Sequence, residues 1–225
     1  MKKIFQLINK NLSTIGLFNF IKKEPTLKLL PIITISREKG SGGRIIAYRV
    51  AKKLGKKWRV YHKDIVDRIA EQTNLEKALI NEIDENRISL VQELLGDFFG
   101  NRYPSLSRYY KNLVKVLTTI GQRGYAVIVG RGAEYLLIHA LKVRIICEMQ
   151  QRIKWEMEFE NLSRTEAVRR IQASDENRLN FIQTLYKHDV TKAHHYDLVV
   201  RTGPDLSIED AAELIVKAAK RRFSV

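Results

Sequence analysis

A glycine-rich segment between an apolar run and a helical stretch is the part of this sequence best suited to chemistry. It begins at Ser36 and Arg37 and ends at Arg44. Glycines allow successive backbone N–H groups to turn toward an anion without a clash at Cβ, and the N-terminus of a following helix adds partial positive charge. A tight turn is the simpler alternative. The order of strand, loop and helix predicts a phosphate-binding loop, formed by Ser36, Lys39, Gly40, Ser41, Gly42 and Gly43.

The elements that would position this loop are short β-branched runs that alternate with longer helical stretches. This alternation is typical of βαβ units, in which polar turns follow the strands at the ligand-binding edge of a parallel sheet. One helix is predicted over Arg44–Leu54, closed by Gly55, and another over Ile208–Arg222, with Ser207 as its N-cap. The predicted strands are Ile32–Ile35, Trp58–Tyr61, Ala126–Val129, Val143–Cys147 and Leu198–Arg201.

The glycine-rich segment also resembles a known family. Residues 35–44 read Ile-Ser-Arg-Glu-Lys-Gly-Ser-Gly-Gly-Arg, which resembles the opening of the cytidylate kinase-like branch of the P-loop nucleoside monophosphate kinases. Three later segments resemble the second, central and last strands of that branch, together with the residues beside them. They are Tyr61–Ile65, Val127–Gly132 and His195–Val200, and the likeness covers roughly residues 31–217.

The resemblance implies an α/β fold of the P-loop NTPase-like type, with a five-stranded parallel sheet flanked by helices, a helical insert and a lid. Residues 30–225 would form this domain, and residues 150–190 would contain the lid. The implied reaction is transfer of the γ-phosphoryl group of ATP to a nucleoside monophosphate, with CMP or dCMP as the first candidate. The implied cofactors are therefore ATP and Mg²⁺, and the implied partners are nucleotide substrates.

The loop departs from the full P-loop pattern, G-x-x-x-x-G-K-[ST], at three of its four defining positions. With Gly42 at the second glycine, Arg37 replaces the first glycine, Gly43 the lysine and Arg44 the hydroxyl that binds magnesium. Arg37, Lys39 or Arg44 could replace the lysine's cation, with Arg37 and Arg44 as the predicted catalytic residues, and Ser36 or Ser41 would have to supply the hydroxyl. The alternative hypothesis is a degenerate kinase fold that binds a nucleotide without catalysis and acts as a sensor or regulator.

Basic residues follow the fourth predicted strand, where kinases of this type carry a lid whose arginines close over the phosphates. Asp175 and Arg178 resemble the family's Asp-x-x-Arg segment, which implies that Arg178 contacts a phosphate and that Asp175 orients it. Arg152 is the third predicted catalytic residue of the lid. For each arginine the alternative is a surface ion pair, such as that of Glu166 with Arg170.

Two residues that follow other strands are predicted to bind the acceptor. Asp64 comes after the second strand and would face the cleft, where it would bind the acceptor or hold water on magnesium; the alternative is an exposed N-cap for a helix over Ile65–Glu71. Arg131 follows the central strand and suits an acceptor phosphate or base. Typical cytidylate kinases have Gly-Arg-Asp at this point, and here Gly132 replaces the carboxylate.

Two segments outside the strand pattern have roles that stay open. Residues 1–29 carry apolar side chains at helical spacing, and six lysines against one glutamate give the segment a charge of +5. This amphipathic helix either docks on a membrane surface or a partner protein, or packs on the domain itself. Residues 84–111 are rich in aromatic side chains and form either an acceptor-binding insert or a packed helical subdomain.

Composition limits the remaining function classes. The 225 residues include 40 Lys and Arg against 25 Asp and Glu, so the net charge of +15 attracts anions. A module that binds nucleic acid or membrane through charge is a third hypothesis, but no RNA-reading or DNA-reading motif accompanies the charge. The single Cys147 excludes an intrachain disulfide, and no residue set has metal-ligand spacing. No apolar stretch has the length of a membrane span or the character of a secretion signal, so we expect a cytoplasmic protein.

Overall fold

The computed structural model describes residues 30–71 and 108–224. The helix expected in residues 1–29 lies outside these ranges, as do residues 84–107 of the aromatic segment. None of the helices within the ranges is long and apolar enough to cross a membrane. The strands are β1 (Ile32–Arg37), β2 (Arg59–His62), β3 (Ala126–Val129), β4 (Leu141–Cys147) and β5 (Leu198–Thr202). The α-helices are α1 (Gly43–Leu54), α2 (Lys63–Glu71), α3 (Arg108–Arg123), α4 (Ala133–Leu136), α5 (Met149–Glu160), α6 (Arg164–Tyr186) and α7 (Ile208–Phe223).

All five strands are parallel and form one sheet in the order β2-β3-β1-β4-β5. This arrangement confirms the predicted five-stranded α/β fold. The central strand is β1, in which Ile35 pairs with Val129 of β3 on one side and with Val143 of β4 on the other. The crevice of such a sheet lies beyond the carboxyl ends of the strands, where the strand order reverses. Here that position is the end of β1, at Ser36 and Arg37.

Helices cover both faces of the sheet and bury its side chains. Ile33 and Ile35 of β1 belong to the core cluster on the face of α1 and α7, which includes Ile215. Ile32 points to the other face and belongs to the cluster that includes Leu113 of α3. Because β1 is buried on both faces, its sequence is a continuous β-branched run instead of an apolar–polar alternation. The packed sheet gives the loops at its carboxyl edge a rigid base.

Several element boundaries differ from the predicted ones. Strand β1 continues through Ser36 and Arg37, which the sequence assigned to the loop, because both residues pair with β4. Helix α2 begins at Lys63, so Asp64 lies inside its first turn and is not the N-cap. The Ser207 N-cap of α7 is as predicted, and its side chain takes part in a capping box. The shift at β1 matters most, because it fixes Arg37 on the sheet.

Candidate functional site

The carboxyl ends of β1, β3 and β4 open into a cavity of about 310 Å³. This volume is at the lower end of the range for small-molecule sites. Helix α6 supplies the outer wall. Five of the predicted site residues line the cavity: Ser36, Arg37, Arg131, Asp175 and Arg178. Its cationic side chains, which favour a small anionic ligand, are Arg37, Lys63, Arg131, Arg144 and Arg178.

The predicted phosphate loop leads into an open helix N-terminus. Gly42 is the N-cap of α1, has a φ of 79° and offers no side chain to the first N–H groups of the helix. This positive φ favours glycine, and an added Cβ would also lie 2.7 Å from Ile208 Cδ1 of α7, so that side chain would have to shift. The first turn contains no acidic residue, and Arg44 within it is exposed. Free N–H groups, partial positive charge and a neighbouring guanidinium make this helix start suitable for phosphate.

Arg37 connects this helix start to the cavity. Its aliphatic part lies against Gly43 of α1, where an added Cβ would be 2.7 Å from Arg37 Cβ. Its guanidinium lies against Gly130 at the end of β3, where an added Cβ would overlap Nη1. Within the described residues, the Arg37 side chain has no ion-pair or hydrogen-bond partner. Burial, followed by the charge of Arg178, lowers the pKa of Arg37 to about 9, so the side chain is still a cation at neutral pH.

The helices of the predicted lid close over the loop through Asp175. Its carboxylate accepts hydrogen bonds from the Lys39 backbone N–H (2.8 Å), Arg152 Nη1 (2.5 Å) and Arg178 Nη1 (2.8 Å). Lys39 Nζ lies 2.8 Å from Glu156 Oε2, so this ammonium is directed to α5. Burial lowers the pKa of Arg178, and the Asp175 carboxylate opposes that shift. The structure therefore brings Arg152, Asp175 and Arg178 to the phosphate loop.

Arg131 is held in a strained turn between β3 and α4. Its guanidinium donates to both carboxylate oxygens of Asp67 on α2, with Nε 2.8 Å from Oδ1, and lies over the ring of Phe181 at 4.9 Å. Its φ is 59°, and the glycines before and after it also have positive φ. The Tyr186 hydroxyl donates to the Arg131 carbonyl at 2.9 Å. Backbone strain of this kind persists only where the surroundings impose it, often at functional sites.

Other charged residues lie outside the cavity. Asp64, 58% exposed, places Oδ2 at 3.6 Å from Arg44 Nη1 and 3.3 Å from His62 Nδ1. Arg44 Nη2 is 2.9 Å from His62 Nε2. Asp64 and Arg44 are therefore paired with each other at the rim and do not line the cavity. On the exposed face of α6, Glu166 accepts a hydrogen bond from Arg170 at 2.8 Å, which is the surface pair considered above.

The two loop serines are engaged by protein groups. Ser36 Oγ accepts hydrogen bonds from Arg144 Nη1 (3.1 Å) and from the Tyr196 hydroxyl (3.4 Å). Ser41 is fully buried, and its Oγ donates to the Glu38 carbonyl at 2.9 Å. Over residues 30–71 and 108–224, no group of three or more His, Cys, Asp or Glu is placed to hold a metal ion. Both serine hydroxyls are therefore already in hydrogen bonds with protein groups.

Comparison with known proteins agrees with this arrangement. The model of the cytidylate kinase-like family matches residues 32–204. The chain belongs to the cytidylate kinase-like family. An uncharacterized protein from Eubacterium ventriosum has the same fold, with a TM-score of 0.58 and 20% identity over 84% of this chain and 98% of that one. TT1252 from Thermus thermophilus aligns at 19% identity, with a TM-score of 0.45 over 85% and 98% of the two chains. No curated protein matches this sequence.

Four charged residues of the cavity in this cytidylate kinase-like protein are absent from the predicted site residues, namely Glu38, Lys63, Glu134 and Arg144, and the last two are buried. Arg144 is 7% exposed and lies within β4, so the signal was a charged residue inside an apolar run. Glu134 is 2% exposed and is the second residue of α4. Burial raises the pKa of Glu134, and the charges of Arg37 and Arg144 oppose this shift without outweighing it. A short helix after the Gly-Arg-Gly turn gave no sequence signal that this carboxyl would be enclosed.

The raised pKa of Glu134 predicts a pH dependence of stability. Its ordinary value is 4.5, and above that pH the unfolded chain loses the proton that the folded chain retains. The free energy of unfolding therefore falls as pH rises from 4.5 through the folded pKa. Glu134→Gln cannot ionise, so its stability relative to the wild type should increase across this window and then level off. Urea unfolding from about pH 4 to about pH 8 measures the difference.

A matched control for this measurement is Glu213→Gln. The Glu213 side chain is 63% exposed on α7, so its removal changes the net charge by the same amount without touching the cavity. Parallel stability curves for the wild type and Glu134→Gln would contradict the prediction, because they would mean that Glu134 titrates alike in the folded and unfolded chains.

Proposed function

We propose that this protein transfers the γ-phosphoryl group of ATP to a nucleoside monophosphate, with CMP or dCMP as the first candidate. Arg37 is the observation that carries the proposal. The aliphatic part of its side chain lies against Gly43 at the start of α1 and its guanidinium lies against Gly130 at the cavity, so a buried cation stands in the cavity beside the predicted phosphate loop. A phosphoryl group that passes between two nucleotides needs positive charge at the point of transfer. Membership of the cytidylate kinase-like family supports the same reaction class.

The donor is expected at the start of α1. The N–H groups after Gly42 would hold the ATP phosphates, and Arg44 would add charge from the first turn. Magnesium would arrive with ATP and neutralise part of the phosphate charge. At the same rim, the exposed carboxylate of Asp64 is the group suited to hold a magnesium-bound water, in competition with its ion pair to Arg44.

The acceptor is expected in the cavity. Its phosphate would lie toward Arg37, Lys63 and Arg131, which line the cavity, and it would compete with Asp67 for the last two. Its nucleoside part would lie toward the apolar lining that includes Phe181 and Val190. Arg178 on α6 would then bring positive charge from the lid side. Because catalysis of phosphoryl transfer consists mainly of positioning and charge stabilisation, no covalent role is assigned to a side chain.

A second candidate is a nucleotide-binding protein without catalysis, and Asp175 is the observation that favours it. The carboxylate accepts the Lys39 backbone N–H, a group that a phosphate loop would otherwise offer to a nucleotide. Glu156 neutralises the Lys39 ammonium in the same way. A loop whose donors are bound to protein carboxylates has fewer to offer to ATP. In this case, Asp175 and Glu156 of the lid helices compete with a nucleotide for the Lys39 donors of the loop.

Turnover decides between the two candidates. ADP release from Mg-ATP would be measured with a panel of ribonucleoside and deoxyribonucleoside monophosphates, for the wild type and the Arg37→Ala/Arg44→Ala double variant. Turnover with one monophosphate that the double variant loses, and that Arg49→Ala retains, supports the kinase. Arg49 lies on the same helix as Arg44 and pairs with Glu209 at the surface. No turnover with ATP still bound supports the non-catalytic protein.

A further inference from the structure

The inner wall of the cavity carries a carboxyl group that the protein leaves partly unsatisfied. Glu134 lines the cavity and is 2% exposed, and within the described residues its Oε2 atom has no hydrogen-bond partner. A buried polar atom without a hydrogen-bond partner lowers the stability of the fold, and a ligand that donates a hydrogen bond to it would remove this cost. Neither the phosphate loop nor the lid arginines account for this group.

The charged and titratable groups that interact with Glu134 come from four parts of the fold, one of which is Tyr135 on the same helix α4, and none of them forms an ion pair with it among the described contacts. Arg37 approaches from β1, Lys142 and Arg144 from β4, and Tyr196 from the segment before β5. Arg144, the buried guanidinium among them, donates to Ser36 Oγ at 3.1 Å. The unpartnered oxygen of Glu134 therefore belongs to a residue of the cavity wall and has no protein partner among the described contacts.

The chemistry of the acceptor decides which of its parts can meet Glu134. If Glu134 is ionised, its carboxylate repels phosphate oxygens. If it is protonated, it can donate only one hydrogen bond, which is weaker than the bonds that the cations of the cavity make to phosphate. The phosphate is thus directed to the cations, and Glu134 is left to the uncharged nucleoside part. An acceptor oxygen in a buried site selects a ligand with an N–H or O–H donor at that point.

We propose that Glu134 is a specificity-determining residue, whose unpartnered oxygen accepts a hydrogen bond from an N–H or O–H group on the nucleoside part of the acceptor. The inference rests on the proposed function and deepens it by naming the group that is recognised. The ring N–H of uracil or hypoxanthine and the 3′-hydroxyl are donors too, so the inference is restricted to the two donors that matched ligands remove, namely the exocyclic amino group of the base and the 2′-hydroxyl of the ribose. They are distinguishable with matched ligand pairs.

Equilibrium binding without ATP tests the inference. CMP against UMP, and AMP against IMP, exchange an amino group for a carbonyl; CMP against dCMP removes the 2′-hydroxyl. In one of these two kinds of pair, the wild type should bind the ligand without the donor at least about tenfold more weakly than the ligand with it. Glu134→Gln retains an acceptor oxygen and should retain this preference. Glu134→Met removes both oxygens at similar length and should bind the two members within about twofold of each other.

Glu213→Gln is the control and should show the wild-type preference, since its exposed side chain is on the outer face of α7. Equal affinity of the wild type for both members of every pair would overturn the inference, as would a preference that persists in Glu134→Met. If Glu134→Met does not fold, as judged by its thermal unfolding, Glu134→Asp takes its place: its shorter side chain draws the oxygen back, so the preference should fall, and a full wild-type preference in Glu134→Asp would overturn the inference.

These outcomes are distinct from failure of the proposed reaction. A protein that shows the Glu134-dependent preference but releases no ADP would leave this inference standing and exclude phosphoryl transfer. A protein that releases ADP but has a ligand preference independent of Glu134 would support phosphoryl transfer and overturn this inference. A wild type that binds no monophosphate would overturn both.

Discussion

Replacing Arg37 with Met should lower kcat/KM for the monophosphate by roughly a thousandfold, a loss typical of removing one preorganised group that stabilises developing charge. The Arg37 guanidinium lies at the cavity against Gly130, next to the start of α1, and no protein carboxylate within the described residues forms an ion pair with it. Its charge is therefore available to the transferred group. Initial rates of ADP formation at saturating ATP, over a range of monophosphate concentrations, measure the effect.

Arg44→Met provides the comparison within the same loop and should cost only about tenfold. Its side chain is 59% exposed and already contacts His62 and Asp64, so its charge is shared and screened by water. Arg49→Met, which breaks a surface pair with Glu209, should leave the rate unchanged. A folded Arg37→Met variant within tenfold of the wild type would contradict the role of Arg37 as the shared cation.

The fold was predictable because the strands of a parallel sheet are buried on both faces. The run Ala126–Val129 is apolar at every position, and its predicted and observed boundaries coincide. Where polar residues extend a strand, the boundary was missed. Ser36 and Arg37 read as a loop by composition, yet both lie in β1 because main-chain pairing with β4 continues past the last apolar residue. Sequence pattern reports burial of side chains, whereas pairing depends on the neighbouring strand.

The site was predictable where its residues share a short motif and unpredictable where they do not. Asp175 and Arg178 are three residues apart on α6, a spacing that brings their side chains together on one face. The hydrogen bond from Lys39 to Asp175 joins residues 136 positions apart, and only the resemblance linked their segments. Asp67, the carboxylate that holds Arg131, lay in a helix with no motif at all.

Glu134 and Arg144 show why the rest could not be predicted from pattern alone. A charged residue in a strand or short helix is usually at the surface, and only the packing of the complete sheet determines that these two are enclosed. Asp64 shows the opposite error. It follows a strand at the correct edge, yet the first turn of α2 directs it to the rim, where it pairs with Arg44.

Gly132→Ala should lower the free energy of unfolding by about 2–4 kcal/mol, a large loss for the addition of one methyl group. Gly132 has a φ of 69°, a conformation that costs an L-residue roughly 1–2 kcal/mol. A Cβ at this position would also overlap the ring of Tyr186 and would lie 2.6 Å from its Cζ. Tyr186 is 3% exposed and is fixed by its hydrogen bond to the Arg131 carbonyl, so the ring has little freedom to move aside.

Two other glycines separate the backbone strain from the steric overlap. Gly55 has a φ of 105° and a ψ of 178°, a backbone region adopted almost only by glycine, and nothing lies within 4 Å of an added Cβ, so Gly55→Ala should cost only the strain, about 1–3 kcal/mol. Gly203 has neither feature, and Gly203→Ala should be within about 0.5 kcal/mol of the wild type. Urea unfolding of the three variants measures the series. If Gly132→Ala were no less stable than Gly55→Ala, the Tyr186 ring would have to move freely. Arg131 would then lose the contact that fixes its carbonyl, and with it the support for a rigid acceptor site at the end of β3.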